Sequence, residues 1–187
     1  MIIFVKLDRL LPPNEREWIR QELARIQQED VDVVATAKCL QIAKEFDEFL
    51  HAKFPTVKRY GLEGSETIML WFDQVLREVE KTHVVIGMTH RGRNNLLVCL
   101  LGLQAEIMFG KMSGIPEFPF DSNHERIIGD VLSHLSISTD LDRGNKVSLL
   151  PNPSHLDAIN PAAMGKARSK AEHGDDILCI QAFDLYF

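Results

Sequence analysis

The six residues His83-Val84-Val85-Ile86-Gly87-Met88 limit the possible folds more than any other stretch of this chain. They form a short apolar run without alternation, whereas a strand with one wet face shows apolar and polar residues in turn. Such a run fits a strand covered on both faces in a parallel sheet, and parallel strands need helical crossovers between them. The flanking sequence supplies those helices, so the reading is α/β, a parallel sheet with flanking helices, preceded by N-terminal helices.

Before that run the apolar residues recur at helical spacing. Pro12 and Pro13 precede Asn14 and Glu17, a capping arrangement that opens a helix ending near Gln28 with Trp18, Ile19, Leu23 and Ile26 on one side. A second helix is expected over 32–52, with Cys39, Ile42, Ala43, Phe46, Phe49 and Leu50 as its core stripe, and Pro55 marks its end. A third is expected over 64–80, burying Ile68, Met69, Phe72, Leu76 and Val79. After the apolar run, helices are expected over 92–101 and 104–112. From Ser113 to Asn145 the Gly, Pro, Ser and Asn content rises, which predicts a long surface excursion. A strand over 146–150, a helix over 154–172 interrupted at Pro161, and a buried strand over 177–182 then read as a βαβ unit.

The 187 residues, 45% hydrophobic and 26% charged, suffice for one sizeable core. A net charge of −6 argues against a general nucleic-acid binder, which needs a basic face. The three cysteines, Cys39, Cys99 and Cys179, are far apart with no paired spacing, as expected in a reducing compartment. No apolar run approaches the roughly 20 residues of a membrane span. The first eleven residues carry Lys6, Asp8 and Arg9 with no small-residue cleavage site, and they lack the Arg/Ser-rich, acid-poor character of a transit peptide.

Two segments could carry chemistry, and both directly follow an expected strand, where ligands bind in open α/β sheets. In Thr89-His90-Arg91-Gly92-Arg93-Asn94, two guanidinium groups, a glycine permitting close approach and the N–H groups of a helix start favour an anion such as carboxylate or phosphate. His90 can exchange a proton near neutral pH. A solvated loop whose arginines pair with surface acids accounts for the spacing equally well. In Pro151-Asn152-Pro153-Ser154-His155-Leu156-Asp157, Ser154 and Asp157 form a capping box that holds His155 in the first helical turn, toward the same sheet edge as His90. Alone, that motif is an ordinary cap with a solvent-facing histidine; the shared topological position is what gives it functional weight.

Lys58-Arg59-Tyr60-Gly61-Leu62-Glu63-Gly64 reads as a turn between helices in which Tyr60 could line a pocket and Arg59 could pair with Glu63. Gly129-Asp130-Val131-Leu132-Ser133-His134 is equally open. A zinc site of His90, His134 and His155 has no support in spacing and ranks below an anion pocket. No Gly-x-Ser-x-Gly elbow, P-loop or dinucleotide fingerprint is present.

Together, the 58–64 cluster, Gly87-Met88-Thr89-His90-Arg91-Gly92-Arg93, Gly129-Asp130-Val131 and Asn152-Pro153-Ser154-His155-Leu156 resemble, in order and spacing, the thiamine-diphosphate-dependent first component of 2-oxoglutarate dehydrogenase complexes. The resemblance leans to the 2-oxoadipate branch through Tyr60, where phenylalanine is usual in the 2-oxoglutarate enzymes, and through Phe109-Gly110-Lys111-Met112-Ser113-Gly114 ahead of Glu117-Phe118-Pro119. It implies an N-terminal helical segment over 1–56 and, over 57–187, the first part of a diphosphate-binding α/β domain. It implies thiamine diphosphate and magnesium as cofactors, with His90 and His155 at the thiazolium and substrate carboxylate as catalytic and cofactor-binding residues. Tyr60 and Arg91 become substrate-binding. A small 2-oxo acid substrate, a lipoyl acyltransferase partner, a homodimer and a mitochondrial-matrix address are likewise implied.

Two departures bear on this. Asn94 stands where leucine is usual, and the tail reads Phe183-Asp184-Leu185-Tyr186-Phe187 where the family continues into a His-Gly-Asp-Ala magnesium element. The expectation is therefore an incomplete and inactive site, cut at Ala182/Phe183, with Asp184 not a substitute for the missing aspartate. A non-catalytic short isoform that binds a full-length subunit and a small anion-binding module stay open beside it.

Overall fold

The computed structural model describes residues 11–26, 32–115, 131–151 and 155–182. The chain forms two compact units, residues 1–36 and 37–187. In the first, helix α1 spans Pro13–Ile26. It starts one residue earlier than the expected cap at Asn14, with Pro13 at the first helical position, where its missing N–H costs nothing. The start of helix α2 (Val33–Lys53) also lies here. Asp32 caps it: Oδ1 accepts the N–H groups of Val34 and Ala35 at 3.1 and 2.9 Å, satisfying two donors that have no partner within the helix.

The second unit is built on a four-stranded sheet. Its strands are β1 (Thr82–Met88), β2 (Ile137–Asp140), β3 (Lys146–Leu149) and β4 (Asp176–Ala182), in the order β2-β3-β1-β4. Strand β1 pairs in parallel with β3, from His83 opposite Lys146 to Ile86 opposite Leu149, and with β4, from Thr82 opposite Asp176 to Met88 opposite Ala182. The remaining strand, β2, runs antiparallel along β3. Helices α3 (Thr67–Glu78), α4 (Arg93–Asn95), α5 (Ala105–Met112) and α6 (Leu156–Glu172) complete the unit. The chain of α4 continues without a break into a π-helical turn over Leu96–Leu100, in which Leu101 N donates to Leu96 O.

The absence of alternation in β1 follows from cover on both sides. Val84, Ile86 and Met88 join Leu50, Met69, Phe72, Leu96 and Met108 in the larger core, while Val85 packs with Ala163 and Ala167 of α6. Gly87 permits that second contact, because a Cβ there would lie 2.8 Å from Ala163 Cβ and 3.3 Å from Ile159 Cγ1. The βαβ unit β3–α6–β4 places its two strands on opposite sides of β1.

Several expectations need correction. Strand β2 lies inside the stretch read as a loop, because four residues with alternating half-buried and exposed positions are too few to carry a period. Pro161 does not interrupt α6, which is continuous from Leu156 to Glu172. The proline is exposed, it removes one intrahelical bond, and Ile159, Ala163 and Ala167 hold the helix to the sheet at four-residue spacing. Helix α3 begins at Thr67 rather than Gly64, since Glu63 and Gly64 adopt positive φ of 43° and 91°. The α2 stripe is narrower than expected: Ala43 and Leu50 are buried, but Ile42 and Phe49 are 54% and 46% exposed, Phe49 resting its ring 5.3 Å from that of Phe109.

Candidate functional site

The carboxyl ends of β1 and β3 lie side by side in the parallel pairing, and each leads into a segment bearing a candidate histidine. After Met88 the chain turns through Thr89, His90 and Arg91 before Gly92, at φ 70°, directs it into α4. Only glycine fits there: a Cβ would sit 3.2 Å from Leu62 Cγ and overlap Leu62 Cδ2 outright. The glycine thus permits a close approach of the protein's own 59–62 segment. The Gly92 N–H donates to Tyr60 O at 2.9 Å and Gly61 O at 3.3 Å, and the Arg93 N–H donates to His90 O at 3.1 Å. Two of the N–H groups at the helix start, those of Gly92 and Arg93, are thus taken by backbone carbonyls.

What this packing achieves is the meeting of Tyr60 and His90. Their ring centroids are 5.6 Å apart at an interplanar angle of 52°, and both side chains are half-buried. Tyr60 sits at φ 53°, a left-handed conformation that a non-glycine residue holds only under constraint. Arg91 is half-buried beside them, with Nη1 3.4 Å from Leu62 O.

The second guanidinium has a different fate. Arg93 is fully buried and its donors go to backbone oxygens: Nε and Nη2 to Leu135 O at 3.2 and 2.6 Å, Nη1 to Met88 O at 3.5 Å, and Nη2 to Leu150 O. Burial alone pulls its pKa down to about 10. It ties the ends of β1 and β3 to the turn before β2, so of the two arginines only Arg91 is available to a ligand. Sequence reading missed this role because a buried and a ligand-facing arginine look alike in a motif.

His155 is exposed and is the N-cap of α6, one residue before the expected first turn, with its carbonyl accepting the N–H groups of Ala158 and Ile159 at 3.1 Å. Ser154, the expected cap, lies outside the described residues, as do Asn152, Pro153, Gly129, Asp130 and Asp184. Arg59 does not reach for Glu63; it turns to His51 Nδ1 at 3.0 Å and to the carbonyls of Phe54 and Pro55 at 3.4 Å. His134 ends a single 3-10 turn over Leu132–His134 and is not gathered with His90 and His155 into a metal site.

The roles of three polar side chains were not anticipated. Asp47 accepts the Leu62 N–H at 2.8 Å, and burial pushes its pKa up. Asn94 donates to Arg59 O at 2.7 Å, and Asn95 to Ala43 O at 3.0 Å. The readable signal was a pair of amides at the head of an otherwise apolar helix, a placement that a core disfavours unless the amides are hydrogen-bonded.

Chemically, the edge offers one cation, an imidazole and a phenol ring in contact, suited to a carboxylate-bearing ligand whose carbonyl needs a proton or a hydrogen bond. It does not fit a divalent metal: among the described residues no group of three or more His, Cys, Asp or Glu could hold one. No helix among the described residues is long and apolar enough to cross a membrane.

A scan against protein-family models finds no match. Among curated proteins, the chain is 43% identical to a Xenopus laevis protein named 2-oxoadipate dehydrogenase complex component E1 and 39% identical to the Homo sapiens protein of that name, in each case over 96% of this chain and 22% of the relative. It is 35% identical to a Brucella ovis 2-oxoglutarate dehydrogenase E1 component, over 91% of this chain and 18% of the relative. The chain therefore spans about a fifth of the length of the relatives it matches. Over that span, at these identities, the chain is homologous to a segment of 2-oxo acid dehydrogenase E1 components.

Proposed function

We propose that this chain carries the substrate-facing part of a thiamine-diphosphate-dependent 2-oxo acid dehydrogenase site, built from His90, Tyr60 and Arg91 with His155 on the neighbouring strand end. The observation that carries the reading is the contact of the Tyr60 and His90 rings at the carboxyl edge of the sheet, 5.6 Å between centroids. Arg91 holds a carboxylate of the substrate by charge-assisted hydrogen bonds. The His90 imidazole delivers a proton or hydrogen bond to the 2-oxo oxygen, and the Tyr60 ring excludes water from one side of it. His155, at an exposed helix cap, reaches the same edge from β3. The cofactor, when bound, supplies a carbanionic nucleophile and an electron sink.

A six-carbon 2-oxo dicarboxylate, 2-oxoadipate, is favoured over 2-oxoglutarate by Tyr60 and by the names of the more similar relatives. The same relationship supports, for the whole protein of which such a segment forms part, acyl transfer to a lipoyl acyltransferase, a homodimer and residence in the mitochondrial matrix. The His90, Tyr60 and Arg91 edge is proposed to bind the substrate without itself ligating magnesium, since among the described residues no group of three or more His, Cys, Asp or Glu could hold a metal.

Nuclear magnetic resonance of the purified chain tests the site. Adding 2-oxoadipate is expected to shift the His90 and Tyr60 ring signals, and Arg91→Ala to weaken that binding by roughly tenfold or more, as loss of a charge-assisted hydrogen bond does. Unchanged ring signals at millimolar 2-oxoadipate would refute the reading. Calorimetry of the chain with magnesium alone is expected to show no tight binding, and tight binding abolished by replacing His90 or His155 would refute the claim that this edge holds no metal.

A further inference from the structure

We infer that Asn94 is a positioning residue: it holds the backbone of the 59–62 turn so that Tyr60 stays in its left-handed conformation against His90. The inference rests on the reading that Tyr60 and His90 face the ligand.

Asn94 is wholly buried, its Nδ2 donates to Arg59 O at 2.7 Å, and its Oδ1 has no hydrogen-bond partner among the described residues. As a contribution to stability this is a poor choice. Burying an amide oxygen without a partner costs at least as much as one neutral hydrogen bond returns, and leucine, with the same branched four-atom skeleton and a larger apolar surface, carries no such penalty.

What leucine cannot supply is direction. The carbonyl of Arg59 belongs to the peptide plane before the Tyr60 Cα, and the carbonyl of Tyr60 belongs to the plane after it. Asn94 holds the first, and the Gly92 N–H holds the second at 2.9 Å. With both planes fixed, φ and ψ of Tyr60 are fixed, at a φ of 53° that would otherwise relax to a negative value. A third restraint, the Leu62 N–H on Asp47 at 2.8 Å, pins the far end of the turn. Release of the Arg59 carbonyl lets the first plane rotate, and the Tyr60 ring swings away from the imidazole. The residue therefore acts on ligand recognition through Tyr60, without touching the ligand.

The test is Asn94→Leu in the full chain, with three measurements. The melting temperature is expected to stay level or rise. The His90 ring protons, shifted in the parent by the Tyr60 ring current, are expected to move toward their positions in Tyr60→Ala. Affinity for 2-oxoadipate is expected to fall roughly fivefold, the value of one neutral hydrogen bond. Asn94→Ala, which removes the amide without adding apolar bulk, must move the His90 signals in the same direction.

A clear fall in the melting temperature of Asn94→Leu would overturn the proposal, since Asn94 would then serve folding. Unmoved His90 signals, or signals moved by leucine alone, would overturn it too. If 2-oxoadipate binds neither parent nor variant while the His90 signals move as expected, the functional reading fails and the positioning role stands. If both bind it equally and the signals do not move, the positioning role fails and the functional reading stands.

Discussion

Replacing Gly92 by alanine tests the packing on which the site depends. Two costs combine there. The residue sits at φ 70°, where an L-residue is strained by about 1–2 kcal/mol, and the new methyl group overlaps Leu62 Cδ2 while standing 3.2 Å from Leu62 Cγ. Leu62 is itself fully buried, so it cannot swing into solvent, and overpacking of this kind costs about 1–3 kcal/mol. The expected loss is about 2–5 kcal/mol, a large part of the stability of a domain this size. Gly64→Ala separates the two terms, because that residue is at φ 91° with nothing within 4 Å of the added Cβ, so it pays the strain alone, about 1–2 kcal/mol. Urea unfolding followed by circular dichroism measures both. Adding Leu62→Ala should recover part of the Gly92→Ala loss, with a coupling of about 1–3 kcal/mol, since the clashing methyl groups are gone. Equal costs for Gly92→Ala and Gly64→Ala, with no coupling to Leu62, would refute the seating of the 59–62 segment on the start of α4.

Two further outcomes follow from buried charge. His83 lies in β1 with Nε2 2.9 Å from Ser148 Oγ and Nδ1 3.6 Å from Asp175 Oδ2; burial, then Lys170, hold its pKa below the usual value against the pull of Asp175, with Lys166 adding to the lowering. The unfolded chain then takes up the proton first as pH falls, so stability is full above about pH 6.5 and declines below it until the folded form also protonates. His83→Gln should flatten the urea midpoint between pH 5 and 7, and an unaltered slope would count against the burial of this imidazole. Arg93→Met strips donors from the carbonyls of Leu135, Leu150 and Met88, at about 1–3 kcal/mol for each well-made bond, but escapes a charge-burial cost of about 3 kcal/mol implied by a pKa of about 10. The net expectation is a loss of about 2 kcal/mol in the same assay, and a variant more stable than the parent would show that the guanidinium does not tie these strands together.

The sequence by itself determined the fold class and the resemblance, and it marked the strand ends after which the candidate residues follow. A doubly covered strand is apolar throughout, so Val84 to Met88 announced a parallel sheet with helices on both faces, in which the segments bearing His90 and His155 follow the carboxyl ends of neighbouring strands. Short-range rules served less well where tertiary contacts decide. Strand β2 exists because β3 offers it an edge, and four residues carry no period of their own. Helix α6 runs through Pro161 because its buried face outweighs one missing bond. The roles within the motif were decided only in three dimensions. Arg91 and Arg93 are two residues apart and chemically identical, yet the turn at Gly92 leaves one half-exposed and sends the other among backbone carbonyls. Asn94, Asn95 and Asp47 acquire meaning only when α2 and the 59–62 turn are packed against α4, because a hydrogen bond between residues 15, 35 or 52 positions apart leaves no mark in local composition.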